Sequence, residues 1–265
     1  MASDYWGKAY QQRYRLEEVK GDYLKQERQF LKEFVQRDQV SGPCLEIGCG
    51  TGIFAGVCDA YIGLDNVLAA LLADGFQDYP PILASAECLP LADNSVQLVF
   101  SFNTLEHVNQ PDLAFAEIDR VLAPNGYALL RPAWHCAGYI TRILTSKRWR
   151  DLSLVRHAYR LSAPILKSRL YKGLTRIPGR ILRRLWYRIF TSGRPTCLRY
   201  KRLAPSFEAA DRHFFMYESD AYADIDCHEA ILYFESRGYE ILSHKSAVGR
   251  LFAGHDLLLA RKPGG

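Results

Sequence analysis

The chain has 265 residues, 48% of them hydrophobic, with seven cysteines and a formal net charge of +5. That is enough for one substantial core with an added subdomain, and no apolar run approaches the roughly 20 residues of a membrane span. An odd number of cysteines with no C-x-x-C pair points to reduced thiols rather than a disulfide framework or a zinc site, so no metal is expected. Met1-Ala-Ser-Asp-Tyr-Trp6 has neither a basic start nor an apolar core, so no secretory signal is expected and a cytoplasmic location is. The net charge hides an asymmetry: residues 142 to 202 hold 18 of the 34 Lys and Arg against one acid, Asp151, a net +17 against −12 for the rest. Two regions with different electrostatic roles share the chain.

In chain order, residues 1–40 read as an N-terminal helical cap. An aromatic lead-in carries Tyr5, Trp6 and Tyr10. Leu16, Val19, Tyr23, Leu24, Phe30, Leu31, Phe34 and Val35 follow, mostly three and four apart, as on one face of a helix. The apolar run Cys44 to Ile47 stops at Gly48, Gly50 and Gly52, and a short helical element is expected over Ile53 to Cys58. A strand, a tight glycine loop and a helix is a place where a ligand can touch backbone, since glycine supplies φ > 0 and leaves no Cβ in the way. A dinucleotide fingerprint would need a third glycine at position 53, where this chain has Ile53.

Tyr61 to Asp65 is the second predicted strand, and the run Val67 to Ala73 behind it makes Asp65-Asn66 a helix start as well as a strand end. Strand three, Ile82 to Ala84, runs into Ser85-Ala86-Glu87, and strand four, Val96 to Phe100, runs into Ser101-Phe-Asn-Thr-Leu-Glu-His107. Asp112 opens a helix with Leu113, Phe115, Ile118, Val121 and Leu122 on one face, closed by Pro124-Asn-Gly126. Strand five, Tyr127 to Leu130, leads out through Arg131-Pro-Ala-Trp-His135, which makes Trp134 and His135 secondary candidates, Trp134 also reading as a core aromatic. Asp226 and Glu229 form a capping box for a helix to about Arg237, and Gly238–Ser243 and Asp256–Ala260 are the last two strands. Asp220 and Asp224, just before the cap, face either a site or solvent. Strands alternating with helices predict an α/β parallel sheet.

Glu46-x-Gly48-x-Gly50-x-Gly52 resembles motif I of the class I S-adenosylmethionine-dependent methyltransferases. Asp65, Ser85-Ala-Glu-Cys-Leu-Pro90, Phe100-Ser-Phe-Asn-Thr-Leu-Glu-His107 and Arg120-Val-Leu-Ala-Pro-Asn-Gly126 follow in that family's order. The resemblance is close over 44–133 and looser after about 215. It implies a Rossmann-like, seven-stranded, mostly parallel sheet with helices on both faces. The cofactor-binding domain would span 41–135 and 216–265, interrupted by an inserted basic helical lid or acceptor region at 136–215.

The same resemblance implies that the loop Glu46, Gly48, Cys49, Gly50 and Gly52 cradles S-adenosylmethionine, that Asp65 and Asn66 meet its ribose, and that Ser85, Ala86 and Glu87 meet its adenine; Ser101 and Asn103 also read as cofactor-binding, Asn103 receiving either the cofactor's amino-acid end or the acceptor. It also places the N-terminal segment over the cofactor cleft. His107 reads as a general base or as a structural residue at a helix start; a positioned base is worth about 10²–10⁴-fold. The expected reaction is O-methylation of a small-molecule, glycan or lipid-linked acceptor. The alternative is a catalytically idle cofactor-binding protein that docks on a membrane or an assembly.

Within the insertion, Pro164, Ile165, Leu166, Leu170, Leu174 and Ile177 alternate with Lys and Arg up to a break at Pro178-Gly179. Ile181, Leu182, Leu185, Trp186, Ile189 and Phe190 alternate with Arg180, Arg183, Arg184 and Arg188 beyond it. Basic amphipathic helices of this kind suit peripheral contact with an anionic membrane. They equally suit a lid whose apolar face packs on protein and whose basic face is solvated. The Asp/Asn-Pro-Pro-Tyr/Phe signature of base methylation is absent after strand four, which argues against nucleic acid.

Overall fold

A computed structural model of the chain describes residues 21–72, 76, 78–136, 154–167, 169–191, 194–205, 220–254 and 256–265. Tyr5, Trp6, Tyr10, Leu16 and Val19 lie outside the described residues, as do parts of the basic insertion. The elements are α1 (Gly21–Arg37), β1 (Cys44–Ile47), β2 (Tyr61–Asp65), α2 (Leu68–Leu71), β3 (Ile82–Leu83), β4 (Val96–Phe102), a 3₁₀ turn (Leu105–His107), α3 (Pro111–Val121) and β5 (Leu122–Arg131). After these come α4 (Leu154–Lys167), α5 (Arg169–Phe190), β6 (Tyr200–Arg202), β7 (Ala223–Ile225), α6 (Cys227–Glu235), β8 (Glu240–Ile241), α7 (Ala247–Leu251) and β9 (Leu258–Arg261).

The seven-stranded sheet runs β3-β2-β1-β4-β5-β9-β8, with a separate β6-β7 ribbon. β1 pairs in parallel with both β2 and β4, and β2–β3 and β4–β5 are parallel too. All four residues of β1 are buried, as are six of the seven of β4, because central parallel strands are covered on both faces and need apolar residues on each. β9 closes against β5 the other way: Asn125 N donates to Pro263 O while Gly126 O accepts from Lys262 N, so the end of the chain lies at the start of β5. Strand order reverses at β1, and in open α/β sheets the crevice beyond the carboxyl ends of the strands at such a switch is the ligand-binding place.

The described residues fall into two compact units, one comprising 21–105, 113–132 and 259–265, the other 106–112 and 133–258. In the first, α1 packs Leu31 and Phe34, the latter edge-on to Tyr127 at 5.3 Å. α3 buries Ala114, Phe115, Ile118 and Val121, whereas Leu113 is exposed and Leu122 already belongs to β5. The expected helix over Ile53–Cys58 is a chain of turns. Ala55 N bonds Gly52 O and Val57 N bonds Phe54 O, and Gly56 at φ +73° breaks any longer helical run.

The second unit corrects the reading of the basic runs. The run expected to start at Pro164 is divided between α4 and α5, with Pro164 inside α4. Pro178 does not end the second helix; α5 continues through it for twelve more residues, to Phe190. Proline removes one helical donor and tends to kink rather than stop a helix held on both sides. In α5 the turns after Pro178 are held by arginines. Arg180 forks onto Asp226 (2.7 and 3.2 Å), Arg183 meets Glu229 Oε2 (3.3 Å) and Thr196 Oγ1 (2.6 Å), and Arg184 meets His228 Nε2 and Glu235 (both 3.0 Å). Asp226 caps α6 as expected, accepting from His228 N, while Glu229 takes the Arg183 guanidinium.

Candidate functional site

The glycine loop curls back on β2. Gly48 N and Cys49 N both donate to Leu64 O (2.7 and 3.0 Å), Gly52 N donates to Cys49 O (3.0 Å), and Gly50 N donates to Asp65 Oδ2 (2.9 Å). Gly48, Gly50 and Gly52 lie at φ +79°, +54° and +81°, the left-handed region that favours glycine. A Cβ on Gly48 would collide with the Thr104 side chain, so the glycine is needed for a close approach within the protein. The amides of Gly48, Cys49, Gly50 and Gly52 are therefore bonded within the protein.

Asp65 is buried at 6% exposure and sits at the centre of this arrangement. Its Oδ2 accepts from Gly50 N and its Oδ1 from Val67 N (2.9 Å). Burial pushes its carboxyl above the usual carboxylate range, with the amides of Gly50, Val67 and Asn66 opposing only in part. An ionised carboxylate has about four acceptor positions, so these amides do not exhaust it. Asp65 thus serves the turn into α2 and retains capacity for a pair of hydroxyls. Asn66 beside it is exposed.

Ser85, Ala86 and Glu87 form a turn directly beside Asp65, since Ala84 N donates to Asp65 O (3.0 Å). Ser85 Oγ accepts from Glu87 N (3.1 Å), and Ala86 is buried. Ser101 is committed to the fold, its hydroxyl donating to Ile47 O (2.9 Å) at the end of β1. Asn103 is exposed at φ +49° where β4 ends, with its amide on Arg131 O (3.0 Å). Glu46 is 3% exposed and accepts from the Tyr61 hydroxyl. Burial pushes its carboxyl up to about 8, with the charge of Asp65 adding and the Tyr61 hydroxyl opposing. Glu46, Gly48, Cys49, Gly50, Gly52, Asp65, Asn66, Ser85, Ala86, Glu87, Ser101 and Asn103 thus gather at the carboxyl ends of β1 to β4, inside one unit.

Sequence reasoning missed the clamp over this edge. Arg28 of α1 donates to Ile53 O (3.0 Å) and Ala55 O (2.7 Å), the first carbonyls beyond the glycine loop. Glu27 pairs with Arg131 (2.8 Å) where β5 ends. The helical pattern of α1 was visible, but contacts about 25 and 104 residues apart carry no local signal.

The other unit holds His107. Its Nδ1 lies 3.7 Å from Asp220 Oδ2 and its Nε2 3.8 Å from Glu106 Oε1, with both acids buried and the ring 16% exposed. Tyr222 N donates to Glu106 O (2.8 Å), which fastens the 3₁₀ turn to the Asp220 segment. Two buried carboxylates thus face the two nitrogens of one imidazole. Asp220 is therefore a buried partner of His107, while Asp224 lies opposite Lys201 in the β6-β7 ribbon. Trp134 is a core residue, 2% exposed, donating to Asp256 O (2.8 Å). His135, at φ +66°, is buried against the Arg180–Asp226 pair.

With this geometry in place, comparison with known proteins gives a consistent answer. Residues 45–130 match the family described as methyltransferase domain. The chain is 31% identical over 155 residues to a malonyl-[acyl-carrier protein] O-methyltransferase of Methylococcus capsulatus, covering 53% of this chain and 55% of that protein. It is 38% identical over 97 residues to a protein of the same name from Alcanivorax borkumensis, covering 32% of this chain and 33% of that protein. The chain therefore spans about half or less of the length of these curated relatives. Among solved structures, a possible histamine N-methyltransferase from Thermotoga maritima aligns with a TM-score of 0.42 at 22% identity, covering 51% of this chain and 63% of that one.

Proposed function

We propose that this chain, whose residues 45–130 match the methyltransferase domain family, transfers a methyl group from S-adenosylmethionine to an acceptor oxygen. The observation that carries the reading is the Asp65 carboxylate, held at the end of β2 by Gly50 N and Val67 N with acceptor capacity to spare. That is what a ribose with two adjacent hydroxyls needs. The residues present fit the cofactor: Asp65 and Asn66 would hold the ribose, the Ser85–Glu87 turn the adenine, and the outward face of the glycine loop, with Asn103, the amino-acid end. Bound S-adenosylmethionine would supply a methyl group on a sulfonium, already activated for transfer.

What remains for the protein is to align the acceptor and to take its proton. His107 suits that second task, because Asp220 and Glu106 stabilise the imidazolium formed when it accepts a proton. A buried partner behind the imidazole also favours an enzyme over an idle binding protein. An oxygen acceptor is supported by the relatives named for O-methylation. The acceptor class we propose is a small molecule, a glycan or a lipid-linked compound.

The test is product formation. Wild-type protein incubated with methyl-labelled S-adenosylmethionine and fractionated cell extract is expected to release S-adenosylhomocysteine and label one fraction. His107→Ala is expected to lower that rate about 10²–10⁴-fold with cofactor affinity within about twofold, as for a group felt in the transition state. No product with any fraction, or an unaltered rate in the variant, would overturn the reading.

A further inference from the structure

α5 is built inside out. Its arginines 180 and 183 are each 7% exposed and engaged with α6, while Leu174, Leu182, Ile189 and Phe190 are each 67–70% exposed. Leu185 and Trp186 complete a stripe at spacings of three, four and seven or eight, one continuous face of the helix. α4 repeats the pattern with Leu154, Leu161 and Ile165, all more than 60% exposed. Isolated surface leucines are ordinary, but exposed apolar stripes of this length on consecutive helices are not, and large apolar patches mark interaction surfaces.

Charge says what the surface meets. No Asp or Glu occurs between Asp151 and Glu208. With Arg180, Arg183 and Arg184 paired to Asp226, Glu229 and Glu235, exposed cations among the described residues of α5 and the segment after it include Arg188, Arg194 and Arg199. Trp186 lies between the two populations, with the Arg183 and Arg199 guanidiniums 5.4 and 5.6 Å from its ring. A cavity of about 210 Å³ on the flank of the stripe is lined by Arg184, Tyr187, Arg188, Leu232, Glu235 and Arg250, three cations against one acid. A protein partner would have to match both the stripe and a rim of one sign. A bilayer with anionic headgroups does so by its nature, taking apolar side chains below the headgroups and cations at their level. Among the described residues no helix is long and apolar enough to cross a membrane, which leaves lying in the interface as the available mode.

We propose that the outward apolar face of α4 and α5 docks this protein on an anionic lipid bilayer, with Trp186 at headgroup depth and the exposed arginines, Arg188 and Arg199 among them, on lipid phosphates. The proposal does not rest on methyl transfer, and its test needs no turnover.

Full-length protein is sedimented with vesicles of phosphatidylcholine alone or with one-third phosphatidylglycerol, at low and high salt. Binding is expected to the anionic vesicles, several-fold weaker on neutral ones, and several-fold weaker at high salt, because screening acts on exposed charges. Leu182→Asp with Ile189→Asp, both on the solvent side of α5, is expected to lower binding at least about tenfold with an unchanged circular dichroism spectrum. Arg188→Glu with Arg199→Glu is expected to lose the preference for anionic vesicles, and it serves as the second variant should the first fail to fold. Absence of binding to either vesicle at low salt would overturn the proposal, as would binding untouched by both double variants. So would sedimentation velocity showing a dimer that the aspartate variant splits while vesicles leave it unbound, which would give the face to a second copy of the chain.

Discussion

β1 and α5 solve the same burial problem in opposite ways. β1 puts apolar side chains inside on both faces and spends its few polar groups at the carboxyl end, where Glu46 and the glycine loop begin. α5 turns Arg180, Arg183 and Arg184 inward, against Asp226, Glu229 and Glu235, and an apolar face outward. Amphipathic periodicity states that a helix has two faces, but it does not state which face is inside. That is decided by what the rest of the chain offers. Here Asp226, Glu229 and Glu235 on or at the start of α6 supply acids at the spacing the arginines need.

The sharpest way to break the comparison is to remove the cation that holds α5 inside out. Arg180→Met strands Asp226 against a helix it still caps, and breaking a buried pair costs about 3–5 kcal/mol. Asp226 is 26% exposed, so a loss of about 3 kcal/mol is expected in urea denaturation. Adding Asp226→Asn removes the stranded charge and keeps an N-cap acceptor, so the double variant is expected to regain part of the loss. A single variant as stable as wild type would mean that the arginines do not set the helix's orientation.

A smaller effect separates the two units by pH. Glu46, pushed up to about 8 chiefly by burial, keeps a proton in the folded chain that the unfolded chain releases above about 4.5. Its contribution to stability therefore falls as pH rises from about 4.5 to 8. His228, buried and with Arg184 against its ring, is pushed down to about 3, so below 6.5 the unfolded chain takes a proton that the folded chain refuses. Its contribution falls as pH drops from 6.5 towards 3. Each slope is at most about 1.4 kcal/mol per pH unit. Melting temperature measured against pH is expected to lose its alkaline fall in Glu46→Gln and its acid fall in His228→Gln. Curves parallel to wild type in both would remove these two groups from the account.

Much of the first unit was legible because its signals are local. Glycines at alternate positions after an apolar run, an acid ending the next strand and a serine turn after the third are patterns within a few residues of one another, and the structure gathers them on one sheet edge. The direction of the loop's amides was not legible, since they bond Leu64 O and Asp65, residues of the next strand. Nor was the absence of a helix after the loop, which depends on the backbone at Gly56. His107 was visible as a candidate, but its partner Asp220 stands more than a hundred residues away with nothing in the pattern to join them. Pro178 misled because proline was read as a break where tertiary ion pairs carry the helix through.

The central claim, that the edge built around Asp65 binds S-adenosylmethionine, is tested most directly by titration calorimetry of the cofactor into wild type and Asp65→Asn. Asparagine keeps one oxygen, so it cannot hold all the amides that Asp65 now holds, and it loses the charge and the paired acceptors that a ribose requires. Wild type is expected to bind one equivalent, and Asp65→Asn to bind at least about tenfold more weakly, with a hydrogen bond to a charged group worth about 1.5–3 kcal/mol. No heat of binding in wild type, or equal affinity in the two proteins, would contradict the account.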